Sequence, residues 1–101
     1  MDIIKSVNGV PIRLTEERWF HIIENHDDLA GYYDEVLNTI EGPDYIIKGY
    51  KNALVALKKV KKGKNLAVVY KEINKKDGFI ITAYFTGKIN LIEEKIIWQK
   101  K

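Results

Sequence analysis

Both histidines of the chain fall within one short segment, Arg18-Trp19-Phe20-His21-Ile22-Ile23-Glu24-Asn25-His26. An imidazole is the side chain whose ordinary titration lies between pH 5 and 8, so it can take or give a proton at neutral pH. If the segment is helical, about 100° per residue sets His21 about 60° from Arg18, with Asn25 between them. A proton carrier beside a permanent cation suits chemistry at a phosphate group. His26 stands roughly 140° around the same helix from His21. Histidines that share a metal on one helix stand at i and i+4, as in H-E-x-x-H, so no metal site is expected here. Read plainly, His21 is a half-buried, hydrogen-bonded histidine, and His26 is a helix C-terminal cap favoured by the dipole.

A second candidate surface lies in Phe79-Ile80-Ile81-Thr82-Ala83-Tyr84-Phe85-Thr86. Strict alternation puts Phe79, Ile81, Ala83 and Phe85 on one face, and Ile80, Thr82, Tyr84 and Thr86 on the other. The first set reads as core. The hydroxyls of the second can hold phosphate oxygens, and Tyr84 can stack on a base. The same residue types are also ordinary strand formers on a wet face. Lys58, Lys59, Lys61, Lys62 and Lys64 gather around one predicted turn, and Lys75 and Lys76 around the next. Turn lysines guard strand edges against aggregation, and they can equally steer a phosphate backbone without reading its sequence.

Other chemistries are poorly supplied. The chain has no cysteine, which removes thiol nucleophiles, thiolate metal sites and disulfides. Gly63, Gly78 and Gly87 stand alone, so there is no glycine-rich phosphate loop, and Ser6, the only serine, falls in a predicted strand. The neighbouring acids Glu16-Glu17, Asp27-Asp28 and Glu93-Glu94 read as solvated surface.

The elements that must position these residues follow from the pattern. Ile3 to Val7 and Val10 to Leu14 are predicted strands joined by Asn8-Gly9, a strong hairpin signal. Thr15, followed by Glu16 and Glu17, starts a helix whose apolar positions are Trp19, Phe20, Ile22 and Ile23, fraying near His26-Asp27-Asp28. Tyr33, Val36, Leu37 and Ile40 predict a second helix, stopped by Gly42-Pro43. Strand-like runs follow at Asp44 to Tyr50, Ala53 to Val60, Leu66 to Ile73, Phe79 to Thr86 and Leu91 to Trp98. The expected fold is α+β: an N-terminal β-hairpin and two helices packed on an antiparallel sheet of four to five strands.

With 101 residues, of which 46% are hydrophobic, the chain suits one domain over residues 1–101 with its own core. The N-terminus lacks a signal-like apolar run, and no stretch reaches the roughly 20 apolar residues of a membrane span. A reducing, cytoplasmic setting is expected. The net charge of +3 comes almost wholly from lysine and permits an anionic partner without demanding one.

Taken together, Leu14 to His26, Thr39-Ile40-Glu41-Gly42-Pro43-Asp44-Tyr45, Val69-Tyr70-Lys71 and Ile80 to Thr86 resemble the phage-associated members of the barnase/EndoU/colicin/RelE-like nuclease superfamily. The resemblance covers about Leu14 to Trp98. It implies helices on a four-stranded antiparallel sheet and metal-independent, cofactor-free cleavage of RNA in a cleft between helix and sheet. It also implies toxin-like or mobile-element activity and an inhibitory partner protein. By motif position His21 would be the active-site histidine and Arg18 a phosphate-binding cation. Thr82, Tyr84 and Thr86 would be the strand groups facing them, Tyr84 as the second proton-transfer group or a stacking platform and Thr82 assisting Arg18 in catalysis, with Thr86, Lys71, Lys51 and His26 among the substrate contacts. Members commonly carry proline after the second histidine, whereas here Asp27 follows His26, and that acid could repel phosphate or raise the histidine's pKa. A non-catalytic RNA-binding or protein-interaction module of the same fold is the alternative expectation. It separates from the enzyme on whether His21 and Arg18 face Thr82 and Tyr84 across one pocket.

Overall fold

The computed structural model describes residues 1–87 and 95–101. In chain order the elements are β1 (Asp2–Lys5), β2 (Pro11–Leu14), α1 (Glu16–Asn25), α2 (Tyr33–Glu41), β3 (Tyr45–Lys48), β4 (Leu54–Lys61), β5 (Lys64–Asn74), β6 (Asp77–Thr86) and β7 (Ile96–Gln99). Short 3-10 turns occupy Asp27–Leu29 and Tyr50–Asn52. The described residues thus form an α+β domain in which no helix is long and apolar enough to cross a membrane.

The N-terminal hairpin forms with shorter strands than expected: Ser6, Val7 and Val10 fall in the connection, where the Gly9 amide donates to the Ser6 carbonyl at 2.9 Å. Gly9, at φ +79°, takes the left-handed turn position that glycine adopts without steric cost. Thr15 caps α1, its Oγ1 accepting the Arg18 amide N–H at 3.1 Å, while Glu16 and Glu17 occupy the first turn where the helix dipole favours acids. α1 ends at Asn25, and the chain then tightens into the 3-10 turn that begins at Asp27.

The sheet is larger than expected and of mixed direction. Its order is β1-β2-β6-β5-β4-β3-β7, seven strands in place of four to five. β2 runs parallel to β6 through Ile12 opposite Gly78 and Arg13 opposite Phe79, and the other neighbouring pairs are antiparallel. This parallel join brings the hairpin into the main sheet, a pairing that no local pattern announces. It also requires a glycine: a Cβ on Gly78 would lie 2.5 Å from Ile12 Cδ1 and 2.5 Å from the Lys71 carbonyl oxygen. The expected strand at Leu91 to Trp98 is described from Ile96 onward as β7, beside β3; its first residues, with Glu93 and Glu94, lie outside the described residues.

One sheet face packs against the helices. Ile12, Leu66, Val68, Tyr70, Ile80 and Ala83 join Ile22, Leu29, Val36 and Ile40 in the main core. The opposite face carries a smaller cluster of Ile47, Val55, Leu57 and Ala67, flanked by Tyr45, Val69, Tyr84 and Ile96. Strict alternation fails in β6, because Val69 pairs with Thr82 while Tyr70 pairs with Ile80, leaving Ile81 as a bulge. Ile80, Ala83 and Phe85 therefore share the helix face, and Thr82, Tyr84 and Thr86 the other.

Two further contacts tie the periphery to this core. Tyr33 donates to Asp2 Oδ2 at 2.6 Å and meets Trp19 edge-to-face at 5.1 Å, joining α2, β1 and α1. Burial, and then this hydrogen bond to Asp2, push the Tyr33 hydroxyl up to about 12. Arg13 grips Asp77 with two 3.0 Å hydrogen bonds across the β2–β6 join, which holds the Asp77 carboxyl below its usual range.

Candidate active site on the exposed flank of α1

The site begins with a change of neighbour along β6. β2 accompanies β6 only at Gly78 and Phe79. From there α1, which continues directly from β2, lies along the strand. Arg18 Nη1 donates to the Ile81 carbonyl at 3.4 Å, and eight residues further on, the His26 ring centroid is 6.1 Å from that of Tyr84. Helix and strand therefore run in the same direction. Ile22, 2% exposed, is the residue that α1 buries completely, while Trp19 and Ile23 pack against the core from beside it.

The opposite flank of α1 is exposed, and there Thr15, Glu17, Arg18, His21 and Asn25 line a shallow groove of about 420 Å³. The helical period brings His21, Arg18 and Asn25 to one side, as their spacing predicts. Asn25 Nδ2 donates to the His21 carbonyl at 2.9 Å, which fixes the amide one turn beyond the imidazole. His21 is exposed and does not enter the core.

Glu17 is the residue the sequence reading passed over as surface. It stands four positions before His21, and Asn25 stands four after, so the three form an i, i+4, i+8 row on one helix face. That spacing was the available signal. The groove consequently presents a carboxylate, an imidazole and a guanidinium together: two groups able to move protons and one fixed positive charge.

The arrangement on which enzyme and binding module were expected to separate is not met: Thr82 and Tyr84 do not join His21 and Arg18 in this groove. Among the described residues the groove is lined by α1 and its cap alone. Thr82, Tyr84 and Thr86 lie across from Val69, Ala67 and Asn65 on the sheet face remote from the main core. Tyr84 meets His26, which the helical period had set apart from His21, because the backbone leaves helical geometry at His26, φ −138° and ψ 72°. Lys71 lies opposite Phe79 in the neighbouring strand. Lys51 sits in the turn between β3 and β4, its Nζ 5.5 Å from the Tyr50 ring centroid, with β4 and β5 between it and β6. Among the described residues no three His, Cys, Asp or Glu side chains gather as a metal site would need.

Compared with protein-family models, curated proteins and solved structures, the chain matches none.

Proposed function

We propose that the chain is a metal-independent endoribonuclease whose reacting groups are Glu17, Arg18 and His21, with Glu17 as the second proton carrier in place of the strand groups Thr82 and Tyr84, which do not line the groove. The observation that carries this reading is their convergence in one exposed groove on α1. RNA holds its own nucleophile, the ribose 2′-OH, so cleavage needs only a base, an acid and charge stabilisation. The Glu17 carboxylate takes the 2′-OH proton as the 2′-oxygen forms its bond to phosphorus. His21, as imidazolium, gives a proton to the departing 5′-oxygen as the P–O5′ bond breaks. Arg18 neutralises the charge that accumulates on the non-bridging oxygens. The products are a 2′,3′-cyclic phosphate and a free 5′-hydroxyl. Tyr84, beside His26, offers a base a ring to stack on.

The test is incubation of the purified chain with total RNA in EDTA, beside a His21→Ala variant. Cleavage that persists in EDTA, ends in 2′,3′-cyclic phosphates and falls by about 10²–10⁴-fold in the variant is the expected result. Absence of cleavage, with salt-sensitive retention of RNA, would overturn it in favour of a binding module.

A further inference from the structure

The hairpin joining β4 to β5 closes on a pair of like charges. Lys61 and Lys64 are direct cross-strand partners at its tip, either side of a turn in which Gly63 takes φ +75°. Like charges directly opposite each other destabilise a strand pair. Both side chains nevertheless converge on one ring: each Nζ lies 5.3 Å from the Phe85 centroid. Lys61 Nζ is also 5.6 Å from the Tyr32 centroid and donates to the Tyr32 hydroxyl at 3.4 Å. Tyr32 and Phe85 meet edge-to-face at 5.0 Å, so the rings that the two ammonium groups approach are themselves fixed. Among the described residues neither lysine has a carboxylate within ion-pair distance; the ion pair found there is Arg13 with Asp77. A ring quadrupole attracts a cation, but it does not cancel the repulsion between two of them.

We propose that Lys61, Lys64 and the Tyr32 hydroxyl form a phosphate-binding site whose ligand is a phosphodiester group of a nucleic-acid strand. An anion seated between the two ammonium groups converts their repulsion into two charge-assisted hydrogen bonds. The Tyr32 oxygen accepts from Lys61, which leaves its O–H free to donate to a phosphate oxygen. Of the five lysines around this turn, Lys61 and Lys64 are the ones the structure draws together over Phe85. Along β6, Tyr84 meets His26 on one side of the sheet and the next residue, Phe85, meets Tyr32 on the other. The site is independent of cleavage, since a chain that only binds RNA would use it equally.

The experiment is an NMR titration of the full chain with inorganic phosphate, followed by binding of a labelled single-stranded RNA at several salt concentrations. The expected result is that amide shifts concentrate at Tyr32, Lys61, Lys64 and Phe85. They disappear in the Lys61→Gln/Lys64→Gln double variant and survive in Lys61→Arg/Lys64→Arg. The slope of log affinity against log salt for RNA falls by about 0.7 for each lysine removed. The thermal midpoint of the Gln variant stays level or rises, as expected on relieving a like-charge pair. Shifts spread evenly over all the lysines, an unchanged salt slope, a lowered midpoint, or equally tight binding of polyglutamate would each overturn the assignment.

Discussion

Strand β6 has two neighbours along one edge, and they serve different ends. At Gly78 and Phe79 the neighbour is β2, held by a close approach that admits no side chain at Gly78 and by the Arg13–Asp77 pair. A few residues on, the neighbour is α1, which buries Ile22 against the core and turns Glu17, Arg18 and His21 outward. The first contact is all fit, and its charged groups, Arg13 and Asp77, are spent on each other. The second commits one flank of a helix to packing and releases the other for chemistry. A short helix continuing directly from a strand thus inherits that strand's position beside β6 while presenting groups that a paired strand would have turned into the sheet.

This contrast can be broken at either side. The largest expected effect is chemical: Glu17→Gln keeps the helix and removes the carboxylate, lowering RNA cleavage by about 10²–10⁴-fold in a steady-state assay. A stability change in place of a rate change would assign Glu17 to the fold. Next, Ile22→Ala empties the one position where α1 is fully buried and should cost about 2–5 kcal/mol in denaturant unfolding. At the β2 contact, Gly78→Ala forces a methyl group against Ile12 and the Lys71 carbonyl, for about 1–3 kcal/mol from overpacking. If Gly78→Ala proved neutral, the two halves of the edge would not differ as described. Thr15→Ala removes the α1 cap and should cost about 0.5–2 kcal/mol.

The smallest effect is a matter of pH. Tyr33 titrates higher in the folded chain than in the unfolded one, so its contribution is fully present below about pH 10 and is lost as the pH rises toward 12. The free energy of unfolding measured across that window should fall more steeply for the parent than for Tyr33→Phe. Parallel curves would show that Tyr33 does not carry the linkage.

The local features of the fold were legible because local chemistry sets them. Asn8-Gly9 announced the hairpin, Thr15 with its two following acids announced α1, and Gly42-Pro43 announced the end of α2. What was not legible depends on partners distant in sequence. The parallel β2–β6 join rests on a close approach between Ile12 and Gly78, and a lone glycine read as a turn residue gives no hint of it. The bulge at Ile81 likewise arises from registry with β5, so alternation alone misassigned Phe79, Ile80 and Ile81. In the site, the Arg18–His21–Asn25 side was readable from the helical period. Glu17 was equally readable at i−4 from His21, but its neighbour Glu16 made the pair look like a charged surface.

The anchoring of Arg18 to the Ile81 carbonyl joins residues 63 positions apart. On a ribosome adding about 5–20 residues per second, the helix bearing the groove precedes its supporting strand by roughly 3–13 seconds. During that interval α1 has no β6 to lie against, and a helix of 10 residues is marginal by itself in water. The groove therefore takes its final shape only after β6 has followed α1 out of the ribosome. A chain that cuts RNA would by this ordering stay inert through that interval.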